Sequence, residues 1–215
     1  MEFIDFSKSF IENLYFISGF ILALMAIVGI YHLVLTKRAI KINSARHAAD
    51  LAAAQVELYC SKTIPLQDIY YKSKMDNNIK KIEYEVGEFS LDHIYSTFGK
   101  EKVKIILQER INIMLDHFLP VINSMEAFAI YFTKGVADEE IAFSASGETF
   151  CHSVKSLYIE ISFCRGKDSK AFENTVLLYK LWSERIKKEK LTKSKEDLEN
   201  KLKQISEKKI NPIGT

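Results

Sequence analysis

Residues 1–13 mix apolar and charged positions, and the pattern then changes abruptly. Leu14 to Leu35 reads LYFISGFILALMAIVGIYHLVL, 22 residues without a formal charge. At about 1.5 Å per residue the run predicts a helix of roughly 33 Å, the thickness of a bilayer's hydrocarbon core. Tyr15, Phe16 and Tyr31 lie near its ends, where aromatic rings favour the interface. His32, its one ionisable group, sits where it can reach the headgroups. Gly19, Ala23, Ala26 and Gly29 supply small-residue positions for close approach of another helix. The flanks predict a retained anchor rather than a cleaved signal. Glu2, Asp5 and Glu12 outnumber Lys8 before the run, and Thr36-Lys37-Arg38 follow it in place of a small-residue cleavage site. Lys37, Arg38, Lys41 and Arg46 all precede the next acid, Asp50. That excess predicts an inner-membrane protein, with the N-terminus outside and residues 36–215 in the cytoplasm.

Beyond the run the periodicity stays helical. Residues 36–64 include Ala45, Ala48, Ala49, Ala52, Ala53 and Ala54, with no Gly or Pro after Tyr31 until Pro65, and predict a stalk to about Ser61 that Pro65 breaks. Residues 66–99 read as short pieces punctuated by Asn77, Asn78, Gly87 and Gly99. Val103, Ile106, Leu107, Ile113, Met114 and Phe118 share a face of a helix over 100–118, which Pro120 should interrupt. A further helix is expected over 121–134, with Asn123 and Glu126 as a capping box and Gly135 ending it. Asp138 should cap the next helix, with Glu139 and Glu140 favourable at its positive end, running to Cys164 and closing at Arg165-Gly166. Asp168 or Ser169 would then cap a long helix to about Ser206, buried through Phe172, Val176, Leu177, Tyr179, Leu181 and Trp182. No stretch alternates with period two for long enough to propose a strand. The expectation is an all-α protein: a transmembrane helix leading into a helical bundle over 65–190, then a charged helix end and tail over 191–215.

Composition adds exclusions. Eight Gly and three Pro suit long helices, and a net charge of +2 excludes only a strongly polyanionic or polycationic character. Residues 184–209 hold ten basic and six acidic side chains, the pattern of a solvated helix end. Cys60, Cys151 and Cys164 give neither a disulfide framework nor metal-ligand spacing, so no metal and no cofactor is expected. They read as small buried hydrophobes. Cys151 and His152 are adjacent, about 100° apart on a helix, and so do not face each other as nucleophile and base.

Arg110 and His117 carry the one catalytic spacing in the chain. An Arg followed after four to six residues by a His resembles the motif of HEPN ribonucleases. Seven α-helical steps point both side chains the same way, yet roughly 10 Å apart along the axis, so one phosphate would need two subunits or a kink at Pro120. The alternative is an Arg paired with a carboxylate beside a partly buried His.

The stretch VINSMEAFAIYFTKGVADEEIAFSASGETFCHSVKSLYIEISFCRGK, residues 121–167, resembles domain-of-unknown-function family 4760. Asn123, Glu126, Ala129-Ile130, Gly135, Asp138-Glu139, Gly147 and Arg165 carry the likeness, with Phe172, Glu173 and Trp182 beyond it. The family comprises small bacterial proteins with one N-terminal span and a helical cytosolic domain. It is similar to the membrane accessory protein of type VI-B CRISPR systems, which assembles into a ring-like pore. The resemblance implies a homo-oligomeric membrane effector in antiphage defence, with the bilayer and a defence-system protein or RNA as partners. It also makes the Arg110–His117 spacing a family feature. A tethered ribonuclease and a tethered interaction scaffold are the competing expectations.

Overall fold

The computed structural model describes the backbone of residues 2–79, 82, 84–166 and 170–206, with the side chains of 2–13, Phe16 and 204–206 left aside. Asp168 and Ser169, expected to cap the last helix, Lys167 and the tail over 207–215 lie outside the described residues. The helices are α1 (Glu2–Leu58), α2 (Ile64–Asp76), α3 (Leu91–Phe98), α4 (Lys100–Ile113), α5 (Leu119–Thr133), α6 (Glu139–Ser156), α7 (Tyr158–Arg165) and α8 (Glu173–Ser206). The described residues contain no strand, and the protein is all-α.

Two π-helical segments, Tyr59–Thr63 and Met114–Phe118, correct the two breaks expected at prolines. Each lies just ahead of a proline, Pro65 or Pro120, which sits in the first turn of the following helix. A proline ring strikes the carbonyl four residues earlier. Here those carbonyls belong to Ser61 and Asp116, both inside the widened turns. Opening the turn admits the ring, so the chain runs on helically where α-geometry would have ended.

The chain divides into two compact units, Met1–Ala48 and Ala49–Thr215. In the first, apolar side chains stand in the open: Phe20, Leu22 and Leu33 are 68%, 66% and 72% exposed. The most apolar stretch of this helix has a mean hydropathy of 2.2, and none of it is buried. It is long and apolar enough to cross a membrane. The helical stretch Lys100–Thr133 passes the same length test at a mean hydropathy of 1.2, but 44% of it is buried within the second unit. Packing explains its buried apolar residues, among them Val103, Ile106, Ile113, Phe118 and Val121.

The second unit starts earlier than the expected boundary at residue 65, because Ala52, Tyr59 and Thr63 are already core residues. α8 packs on α5 and α6, α2 on α4 and α5, and α3 on α4 and α7. Trp182 of α8 is the hub. Its ring lies 5.2 Å from Phe150 and 5.7 Å from Phe143, both edge-on, and its indole N–H donates to Glu139. Large aromatic rings at such separations contribute both buried area and edge-to-face attraction.

Helix ends follow the sequence in part. Asp138 accepts from the Ile141 amide, and Gly135 turns the chain at φ +65° after α5, both as expected. The single helix expected over 138–164 breaks at Leu157 into α6 and α7, and α7 closes at Gly166 with φ +59°. The capping box is corrected: Asn123 and Glu126 lie inside α5, which begins at Leu119. Arg165 donates to the carbonyls of Phe89 and Ala171 and ties the chain entering α8 to the loop before α3.

Candidate functional site

An acid that the sequence reading passed over organises the polar interior. Glu160 interrupts the apolar run Leu157–Phe163 on α7 and is fully buried. Burial alone would raise its carboxyl group. Lys74 and Arg110 outweigh that, with help from the Tyr70 hydroxyl, and hold it below the ordinary carboxylate value. Its Oε1 accepts from Tyr70 at 2.6 Å, from Arg110 at 2.6 Å and from Lys74 at 3.2 Å. Burial lowers the Lys74 ammonium, and the Arg110 charge adds to that, while Glu160 opposes it. Burial, followed by the nearby Glu160 charge, raises the Tyr70 phenol, so it remains a donor.

Three elements converge to build this cluster: α2 supplies Tyr70 and Lys74, α4 supplies Arg110, and α7 supplies Glu160. A cavity of about 800 Å³ opens beside it. Among the described residues lining that cavity, Arg110 alone is buried. Lys74, Tyr71 and Tyr84 are half-buried around it, and His152 and Lys155 are exposed at its mouth. The Tyr71 hydroxyl is held against Ser156, and the Tyr84 hydroxyl donates to the Lys155 carbonyl at 2.9 Å, so both rings are fixed. Arg110 Nε and Glu160 Oε2 are buried and find no hydrogen-bond partner among the described residues.

The sequence candidates are distributed differently. Arg110 is 4% exposed and committed to Glu160, while His117 is half-buried in the π-segment Met114–Phe118. One extra residue in a turn shifts everything after it by about 100°, so seven steps no longer return His117 to the Arg110 direction. Among the described residues no hydrogen bond or ion pair joins Arg110 to His117. Glu126 serves a different helix from its own. Its Oε1 accepts from the Asn174 amide at 3.1 Å and side chain at 2.8 Å, and its Oε2 from the Thr175 amide at 2.8 Å and hydroxyl at 2.7 Å. These bonds outweigh partial burial and hold its carboxyl group low.

Glu139 accepts from the Trp182 indole, and Gly147 lies so close to Phe143 that an added Cβ would come within 2.8 Å of the ring. Burial, with Glu148 adding to it, pushes the Cys151 thiol up to about 12, which leaves it protonated at neutral pH and unactivated as a nucleophile. In the apolar helix a Cβ built on Gly19 or Gly29 meets nothing within 4 Å. Among the described residues no three His, Cys, Asp or Glu side chains are grouped to hold a metal ion.

The missed residues left one legible trace, a lone acid in an apolar run, which marks a buried charge in need of cations. Comparison with protein-family models, with curated proteins and with solved structures finds no match to this chain.

Proposed function

We propose that this is a single-pass inner-membrane protein whose helical domain lies on the cytoplasmic side and drives self-association into a membrane effector of antiphage defence. One observation carries the reading: the uncharged stretch Leu14–Leu35 of α1, whose described apolar side chains are exposed, followed by four basic residues before the next acid. Such a surface is unstable in water and stable in hydrocarbon, and the basic flank sets its direction. The open faces at Gly19 and Gly29 allow close approach of a second span. A ring of such spans would present an apolar lumen, which conducts only when wetted and so can be gated. The defence role rests on the sequence resemblance.

The test is expression of the full chain in bacteria carrying a voltage-sensitive dye. Membrane potential should fall on phage challenge, and Gly19→Leu with Gly29→Leu should abolish the fall while the protein stays in the membrane fraction. An unchanged potential under challenge overturns the effector reading. Recovery of the intact chain without detergent overturns the anchor as well.

A further inference from the structure

We propose that the cavity beside Glu160 is a binding site for a mononucleotide, with the phosphate held by Lys74, Lys155 and Arg110 and the base against Tyr71 and Tyr84. The inference is independent of the membrane reading, since it concerns only the second unit.

Four observations carry it. The first is size: about 800 Å³ lies within the range of pockets that enclose a small organic molecule. The second is charge. Three cations line or face the space, and one carboxylate, Glu160, answers them. The other acid felt here, Asp68, is exposed and acts on Tyr71. The described lining residues therefore leave a positive excess that suits a dianion, and a guanidinium and ammonium pair holds phosphate oxygens well.

The third is unfinished bonding. Arg110 is 4% exposed, yet its Nε lacks a partner among the described residues. Its fork has bonded only one nitrogen to Glu160, so donor capacity remains at the cavity's innermost wall. A buried unmet donor is costly, and an incoming anion that reached it would relieve that cost.

The fourth is the apolar part of the lining. Tyr71, Tyr84, Ile79, Ile82 and Met75 line the same cavity and add aromatic and apolar surface to it, and both phenols are tied to their neighbours. Fixed aromatic faces suit a planar base, because stacking then costs little ordering. Inorganic phosphate alone would leave this surface unused.

Thermal unfolding and calorimetric titration of the detergent-solubilised full chain test the site, using AMP, GMP, UMP and CMP. The matching nucleosides and inorganic phosphate serve as separate arms. At least one nucleotide should raise the melting temperature and bind saturably, more tightly than its nucleoside and than phosphate. Lys155→Met should weaken that nucleotide about tenfold, roughly one charge-assisted contact, whereas the exposed Lys193→Met on α8 should leave it unchanged. Because Lys155 is exposed and its carbonyl contact with Tyr84 survives substitution, the variant should melt at the wild-type temperature without ligand. No binding by any of the four nucleotides at millimolar concentration overturns the proposal. So does equal binding of nucleoside and nucleotide, equal binding of phosphate and nucleotide, or a Lys155→Met protein that binds as the wild type does.

Discussion

Glu126 and Glu160, two acids of the bundle, differ in how their oxygens are satisfied. Glu126 receives four hydrogen bonds, two on each oxygen, and two of the donors are backbone amides at the start of α8. Glu160 receives three donors on a single oxygen and none on the other. The first carboxylate is saturated by groups that folding itself brings there. It acts as a clamp, joining the middle of α5 to the N-terminal turn of α8, where it also meets the positive end of the helix dipole. The second is surrounded by more cation than it can neutralise and by bonding capacity left unspent. Saturation marks a structural acid, and surplus marks a site open to something further.

The largest way to break this comparison is Arg110→Ala. Removing one member of a buried ion pair strands the other, at about 3–5 kcal/mol, and the remaining Lys74 contact puts the expected loss at the low end. Chemical denaturation of the full chain in detergent measures it. Arg110→Met combined with Glu160→Gln removes both charges and should lose less than Arg110→Ala alone. A double variant as unstable as the sum of its parts would mean that the cluster is a stability device, like the Glu126 clamp.

Glu126→Ala comes next. It leaves the first amides of α8 without their acceptor and should cost about 2 kcal/mol, by loss of charge-assisted capping bonds. Glu126→Gln keeps one acceptor oxygen and should lose about half of that. The same pair of sites predicts the acid response. Both carboxyl groups are held below the ordinary value of 4.5 in the folded chain. A depressed carboxyl stabilises fully above its unfolded value, and the gain disappears as pH falls through the folded value. Stability should therefore drop as pH is lowered from 4.5, with a shallower slope in Glu126→Gln. A slope unchanged by that substitution would remove Glu126 from the account.

These two acids also show what a sequence can disclose. The helices, the long apolar stretch, the Asp138 cap and the Gly135 turn were legible because each depends on residues within a few positions of one another. Glu126 was legible as a capping residue, but not the helix it caps: its partners are 48 and 49 positions away. Glu160, Lys74 and Arg110 come from three helices and meet only through tertiary packing. The prolines misled for a local reason. Each was read against α-geometry, and the π-turns ahead of Pro65 and Pro120 are an accommodation that no residue type announces. The second of these turns also changes the phase between Arg110 and His117 from the one an uninterrupted α-helix would give.

The smallest expected effect sharpens the contrast most. Tyr70→Phe removes one neutral donor from Glu160 and leaves both cations in place. With the ring and its packing on Phe118 preserved, the loss should be about 1 kcal/mol, the net worth of one hydrogen bond. If Glu160 serves the cations around the cavity, Tyr70 is a spectator to ligand binding, and nucleotide affinity should be unchanged within error while the denaturation midpoint falls slightly. If the hydroxyl instead decides how much of the carboxylate is left to hold Lys74 and Arg110, the two cations will be drawn closer to Glu160 in the variant and affinity will fall together with stability. Measuring both quantities on one protein separates a cluster that stores stability from one that sets the charge presented to a ligand.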